Sequence, residues 1–353
     1  MGTRRSALAL AQSSAFAQAL GRATGAVSET VGVTTEGDTS TAAVTAMGST
    51  GVFVQAVRAA LLAKEIDFAV HSYKDLPTAP PDGIVIAAVP AREDPRDALV
   101  TGDGSSLARL PAGARIGTGS PRRAGQLAAL RPDLEVVPLR GNVDTRLGKV
   151  RNGELDGVVL AAAGLARLGR LDEAAELFAP DRFVPAPAQG ALAVECRSAD
   201  TELARLLGTL DDPACRAAVE AERAVLAELD AGCSAPVGAH ARLTGPADRR
   251  SLVLCAVIAP VAGRRRTFRT GTAPAEPYGA ALAGRGLAVA LLRDHASGCR
   301  VSEGEHASEE EQSSEEEHGE GRTAANGRVR AAGPAGPAGP EGPAGHEDGE
   351  AKR

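Results

Sequence analysis

Short apolar runs alternate with helical repeats through most of this 353-residue chain. Residues 66–70, 84–89, 115–117, 135–139 and 157–160 read as buried strands, and segments of helical character lie between them. Val54, Val57, Arg58, Leu61 and Leu62, for example, recur at helical spacing, and residues 7–20 form another helical segment. Such alternation points to α/β layers with mostly parallel strands. Ala-rich windows add little to that reading, because the excess of Ala, Gly and Arg imitates helix propensity.

The pattern breaks at residues 90–95, within AREDPRDA, where the chain crosses from one α/β unit to a second. The Pro-rich VPAPAQG then carries it back, so that strand 191–196 rejoins the first unit. A charged helix, 214–229, leads to a Gly-flanked loop and a small α+β unit over 237–297. Its predicted elements are strands at 252–258 and 267–270 and a helix at 280–292. The expected division is residues 1–90 with 189–208 as domain 1, 91–188 as domain 2 and 209–300 as domain 3. Residues 301–353 are expected to be a disordered tail. That tail opens with nine Glu and no Lys or Arg over 301–320 and carries a GPAGPAGPEGPAG run from Gly333. It has too little apolar surface to offset its ordering entropy, and five Gly at every third position are too few for a lasting triple helix.

The net charge of −6 belongs to the tail, where 13 acidic and 5 basic residues give −8 and leave the rest of the chain at +2. No basic stripe with interleaved aromatics is present, which argues against nucleic-acid binding. Aromatics are 2% of the chain and Trp is absent, so the core must be built from Ala, Val and Leu. Cys196, Cys215, Cys233, Cys255 and Cys299 are odd in number and lack CxxC spacing, which argues against zinc or a disulfide framework and fits a reducing cytosol. No apolar run has the length of a membrane span, and no secretory leader is recognisable. The opening MGTRRS matches the acylation pattern at Gly2 and Ser6, but the same residues have a better explanation as an anion-binding turn.

Arginines follow strand ends in three places. Arg115-Ile-Gly-Thr-Gly-Ser-Pro-Arg-Arg is a strand, a small-residue turn and a helix start with Pro121 in its first turn. Backbone N–H groups, Thr118 and Ser120 there favour an anion. Arg122 and Arg123 oppose the helix dipole unless an anion answers them; the alternative is a solvated pair. Pro138-Leu-Arg-Gly-Asn-Val-Asp-Thr-Arg repeats the arrangement, with Arg140, a capping Asn142 and Arg146, and Thr3-Arg4-Arg5-Ser6 makes a third turn. Guanidinium forks of this kind suit a ligand with several carboxylates. Strand 66–70 delivers His71, Ser72, Lys74 and Asp75 to its carboxyl end, where open α/β sheets place ligands. His71 reads as a packed or hydrogen-bonded residue rather than a base. Cys233, between Gly232 and Pro236, reads as an accessible thiol, whereas Cys196 and Cys255 read as core residues.

TRRSALAL, GVFV, DFAVHSYKDLP, REDPRDAL, GTGSPRR, LRGNVDTRL, LDGVVLAAAGLARLG, ALAVEC and AGCSAPVG occur in that order and span nearly all of residues 2–300. Together they resemble the porphobilinogen deaminase (hydroxymethylbilane synthase) family. The resemblance implies two periplasmic-binding-protein-like α/β domains with an interdomain cleft, plus a small C-terminal α+β domain. It also implies a transferase of tetrapyrrole (haem, porphyrin) biosynthesis, cytoplasmic and monomeric, without membrane or nucleic-acid partners. Four porphobilinogen molecules would be joined head to tail to hydroxymethylbilane with loss of four ammonia. The primer would be a dipyrromethane cofactor held by a thioether to Cys233. By motif position Asp75 is the implied catalytic carboxylate. Ser6, Lys74, Thr118, Ser120, Arg122, Arg123, Arg140 and Arg146 are implied cofactor contacts, and no metal is implied. Arg4, Arg140, Arg146 and Arg167 are implied substrate contacts, with Phe53 covering the cleft.

Three departures stand out. The loop before Phe53 carries Ala46 and Thr50 where relatives often have lysine, so a charged lid is not expected. The family's PGQG turn reads Pro187-Ala188-Gln189-Gly190; if the turn needs positive φ, Ala188 costs about 1 kcal/mol. Related proteins also carry apolar residues ahead of TRRS, so the expectation is an upstream start or a shortened innermost strand. The rival readings are a periplasmic-type anion-binding protein, a scaffold anchored through Gly2 or the tail, and an inactive paralogue.

Overall fold

The computed structural model describes residues 1–33, 52–79, 81–232, 235–246, 250–260, 266–275 and 277–297, side chains at 52, 53, 274, 277 and 278 excepted. Cys233, the loop with Ala46 and Thr50, and the tail 301–353 lie outside the described residues.

A five-stranded sheet is built from β1 (Gly2–Arg4), β2 (Val31–Val33), β3 (Phe68–Ser72), β4 (Ile84–Ala88) and β10 (Leu192–Arg197), in the order β2-β1-β3-β10-β4. Helix α1 (Ala7–Thr24) follows β1, and α2 (Val52–Leu62) precedes β3. The hydroxyl of Ser6 caps α1 by accepting from the Ala9 amide at 3.3 Å, and Gly25 ends it in the left-handed region at φ 75°. Tertiary packing anchors the helix: Phe16 meets Phe68 edge-on, ring centres 6.0 Å apart, beside buried Leu20, Val70 and Val194. Strand β1 is three residues long and meets β3 at one register pair, Gly2 with Ala69.

A second sheet repeats that strand order. It comprises β5 (Asp97–Thr101), β6 (Arg115–Thr118), β7 (Glu135–Pro138), β8 (Gly157–Ala161) and β9 (Glu176–Leu177), arranged β7-β6-β8-β5-β9. Its helices are α3 (Pro121–Leu130), α4 (Val143–Arg151) and α5 (Ala162–Arg167). Most strands are parallel, as the alternation suggested: in each sheet four of the five run the same way and one is reversed. β10 runs antiparallel to both β3 and β4, and β5 to both β8 and β9. The reason is connectivity: β5 and β10 are the strands that enter after a Pro-rich crossing, so they meet their sheets from the opposite direction.

Past α6 (Thr201–Leu207), α7 (Pro213–Glu228) leads into an antiparallel sheet of β11 (Val237–Thr244), β12 (Ser251–Ile258) and β13 (Thr267–Pro274), followed by α8 (Pro277–Ser297). Ala217, Ala221, Val225, Ala239, Ala256, Ala288 and Leu291 are buried in one cluster here. Small residues replace the missing aromatics by letting α7 and α8 approach closely: a Cβ at Gly284 would overlap the Ala221 carbonyl. The whole is a mixed α/β protein with two like sheets and a smaller C-terminal α+β unit, the class the sequence implied.

Candidate functional site at the junction of the two sheets

Residues 188–190 tie the ends of both five-stranded sheets together. Beyond β3, Tyr73–Asp75 form a short 3-10 turn. Lys74 in that turn donates from Nζ to the Gln189 side-chain oxygen at 3.2 Å, and Asp75 is exposed. From the other sheet, Arg167 at the end of α5 donates to the Gly190 carbonyl at 2.7 Å. Ala188 sits at φ 61°, so the condition attached to the Ala-for-Gly departure is met. Its methyl is buried with Tyr73, Leu76 and Val219, which offsets part of the strain.

The arginine turns fold as local chemistry dictates. Thr118 ends β6 and accepts from the Ser120 amide through its hydroxyl at 3.2 Å. Ser120 caps α3, Pro121 occupies the first turn, and Arg122 and Arg123 turn inward and are buried. The anion answering them is the chain's own Asp97, at the head of β5. Arg122 Nη1 donates to Asp97 Oδ2 at 2.7 Å, and Arg123 Nε and Nη2 donate to Oδ1 at 2.9 and 2.7 Å. Burial opposes the carboxylate, but the two guanidinium charges and the Gln189 amide outweigh it and hold Asp97 far below the usual range. An external anion is thus not required to hold this pair inside.

The second turn remains open. Asn142 caps α4 by accepting from the Thr145 amide at 2.9 Å, with Gly141 before it at φ 105°. Arg140 is exposed, and Arg146 donates to the Gly141 carbonyl at 2.8 Å. Burial, reinforced by the charges of Arg123 and Arg140, lowers Arg146 to about 10. Burial likewise lowers Lys74 to about 8, with Arg123 adding to the shift and Asp75 opposing it. Desolvation also lowers Arg167, countered by Glu93. These shifts place several cationic groups near one another in poorly solvated surroundings, an arrangement that favours negative charge nearby.

At the N-terminal turn, Arg4 ends β1 and Ser6 is committed to the α1 cap. Phe53 lies in α2, its side chain outside the description. His71 is buried with Nε2 3.3 Å from Glu195 Oε2, the packed role expected of it. Cys196 is buried in the core; Cys255 is half-buried, its thiol pushed up to about 12 by burial. Asp97, Gln189 and Glu222 went unread in the sequence. Asp97 carried a signal, since an acid heading the apolar run Ala98–Leu99–Val100 needs a buried cation, and Arg122–Arg123 offered two.

These features define a two-sheet α/β protein with a cationic patch at the sheet junction, attached to an α+β unit. The chain belongs to the porphobilinogen deaminase family: residues 1–205 match the model "Porphobilinogen deaminase, dipyromethane cofactor binding domain", and residues 216–293 match "Porphobilinogen deaminase, C-terminal domain". It is similar to the porphobilinogen deaminase of Thermobifida fusca, 58% identical over 260 residues, covering 73% of this chain and 81% of that protein. Porphobilinogen deaminase 1 of Streptomyces coelicolor is 52% identical over 305 residues, covering 84% and 96%. Among solved structures, immunogenic lipoprotein A from Vibrio vulnificus overlays with a TM-score of 0.39 at 14% identity, covering 59% of this chain and 92% of that one; a likeness so loose does not bear on function. Among the described residues no helix is long and apolar enough to cross a membrane.

Proposed function

We propose that the protein is a hydroxymethylbilane synthase, a transferase that joins four porphobilinogen molecules head to tail and releases four ammonia. The observation that carries this reading is the cluster of Arg140, Arg146 and Lys74, with the Asp97-paired Arg123 behind it, beside an exposed carboxylate, Asp75. Dipyrromethane and porphobilinogen bear acetate and propionate groups, the polycarboxylate chemistry such a cluster needs, so the residues present fit the cofactor. When bound, through a thioether to Cys233, dipyrromethane supplies the free pyrrole α-carbon to which units are added.

The chain's own residues do the rest. Arg140 and Arg146 would anchor carboxylates; Ser6, Lys74, Thr118, Ser120, Arg122 and Arg123 would complete the cofactor contacts, directly or, as Arg122 and Arg123 do through Asp97, by holding the turns that make them. Arg4 and Arg167 meet the incoming substrate, and Phe53 covers it. Asp75 faces positive charge developing on pyrrole nitrogen and holds or moves a proton at its carboxylate oxygens. Domain 1 comprises residues 1–90 with 189–208, domain 2 residues 91–188 and domain 3 residues 209–300, the reaction lying between the first two. The protein works as a cytosolic monomer.

Intact mass tests the reading. The purified protein should exceed its sequence mass by one dipyrromethane and give an Ehrlich colour reaction, and Cys233→Ser should abolish both. A native protein at sequence mass that still consumes porphobilinogen would rule out the Cys233 anchor.

A further inference from the structure

Asp75 occupies an unusual position for a residue asked to meet developing charge. It is exposed at the end of a three-residue turn, and among the described residues no hydrogen bond reaches its carboxylate. Its direction is therefore set by the backbone that carries it. That backbone is a single 3-10 turn, closed by the Leu76 amide donating to the Tyr73 carbonyl at 3.2 Å. Short 3-10 turns have poor hydrogen-bond geometry, and Pro77 lacks the N–H to extend the ladder. The Tyr73 carbonyl keeps a second lone pair beyond that bond, and the carbonyls of Leu76 and Pro77 follow it in the chain.

One side chain gathers them. Arg223, on α7 of the C-terminal unit, donates from Nη1 to the carbonyls of Tyr73 at 3.3 Å and Leu76 at 3.1 Å, and from Nη2 to that of Pro77 at 2.5 Å. Its guanidinium carbon lies 4.5 Å from the centre of the buried Tyr73 ring, so the same group clamps the turn's backbone and stacks on its first side chain. A planar fork can do both at once; a lysine ammonium cannot. The neighbouring residue, Glu222, accepts from the Ala188 amide at 2.6 Å and pairs with Arg92, so consecutive residues of α7 grip the Asp75 turn and the sheet junction. This helix ends five residues before Cys233.

We infer that Arg223 is a positioning residue for the condensation: it fixes the Tyr73–Pro77 backbone so that the Asp75 carboxylate points at the reacting pyrrole. Through Arg223 the unit carrying the cofactor cysteine aligns the carboxylate with the cofactor. This inference rests on the reading of Asp75 as the catalytic carboxylate.

The test compares Arg223→Met, which keeps the stem over Tyr73, with Arg223→Lys, which keeps the charge, and with Asp75→Asn. Rates are normalised to molecules carrying the dipyrromethane mass increment, so that misfolded or unloaded protein is not counted. With Asp75→Asn nearly inactive, kcat should fall about 10- to 100-fold in Arg223→Met, with KM changed by less than about twofold. Arg223→Lys should recover only part of the loss, and added methylguanidinium should restore turnover to Arg223→Gly. If Asp75→Asn is inactive while Arg223→Met and Arg223→Lys turn over at the native kcat per loaded molecule, Arg223 is merely structural and the inference fails alone. If Asp75→Asn keeps native turnover, the reading of Asp75 fails and takes the inference with it.

Discussion

Lys74 is where charge and burial conflict most usefully. Burial of the ammonium, with Arg123 nearby, lowers it to about 8, well below the ordinary 10.5 of a lysine. The side chain is therefore cationic below about pH 8 and loses its charge as the pH rises through that value. A cofactor carboxylate placed by Lys74 prefers the charged form, and because the cofactor is held covalently, loss of that charge should loosen its placement rather than release it. Turnover per loaded molecule is therefore expected to fall above about pH 8, with KM for porphobilinogen less affected. Arg in place of Lys keeps its charge throughout this range. Lys74→Arg should therefore flatten the fall, measured as kcat from pH 7 to 9.5 on cofactor-loaded protein. An unchanged alkaline fall in the variant would assign the titration to another group.

The elements carry the site through a few close approaches, and Gly125 in α3 is the tightest. A Cβ there would overlap the carbonyl oxygen of Ala259, just past β12, so the helix bearing Arg122 and Arg123 lies directly against the C-terminal unit. Alanine is the better helix former by about 1 kcal/mol, yet overpacking costs about 1–3 kcal/mol, so contact should win over propensity. Gly125→Ala is expected to lower Tm by several degrees in calorimetry, and a Tm equal to the parent's would show that α3 can shift freely. This contact also illustrates what a sequence conceals. The strands with undiluted apolar runs, β3, β4 and β8, were legible, as were the capped arginine turns, because strand end, cap and arginine lie within a few residues. β11 was not, since Ala239 and Ala241 supply its buried face and Ala signals burial weakly. β5 was hidden because Asp97 heads it, and the Asp97, Gln189, Glu222 and Arg223 contacts join residues 25 to 150 positions apart, which no local spacing encodes.

Across the molecule, each sheet-bearing unit is pinned by one buried carboxylate. Glu195 in the first sheet pairs with Arg58 at 2.6 Å, Asp97 in the second with Arg122 and Arg123, and Glu222 in α7 with Arg92 at 2.7 Å. Glu222 also accepts from the amides of Ala188 and Ala241, and so binds the sheet junction to β11. Burial raises all three groups, but their cationic and hydrogen-bonded partners prevail: Glu195 and Glu222 fall from 4.5 to about 2, and Asp97 falls further. A carboxylate whose folded value is depressed stabilises the fold fully above its unfolded value and loses that contribution as pH falls through the folded one. Stability should therefore be level above about pH 5 and decline steeply between about pH 4.5 and 2. Removing one partner of a buried pair costs about 3–5 kcal/mol, because the other charge is left without an answer. Glu222→Gln should show a deficit of that order at pH 7 in urea titrations, and the deficit should shrink as the pH approaches 2, where the parent's own glutamate becomes protonated. A deficit that stayed constant from pH 7 to 2 would mean that the shape of the side chain, and not its charge, holds α7 to the junction.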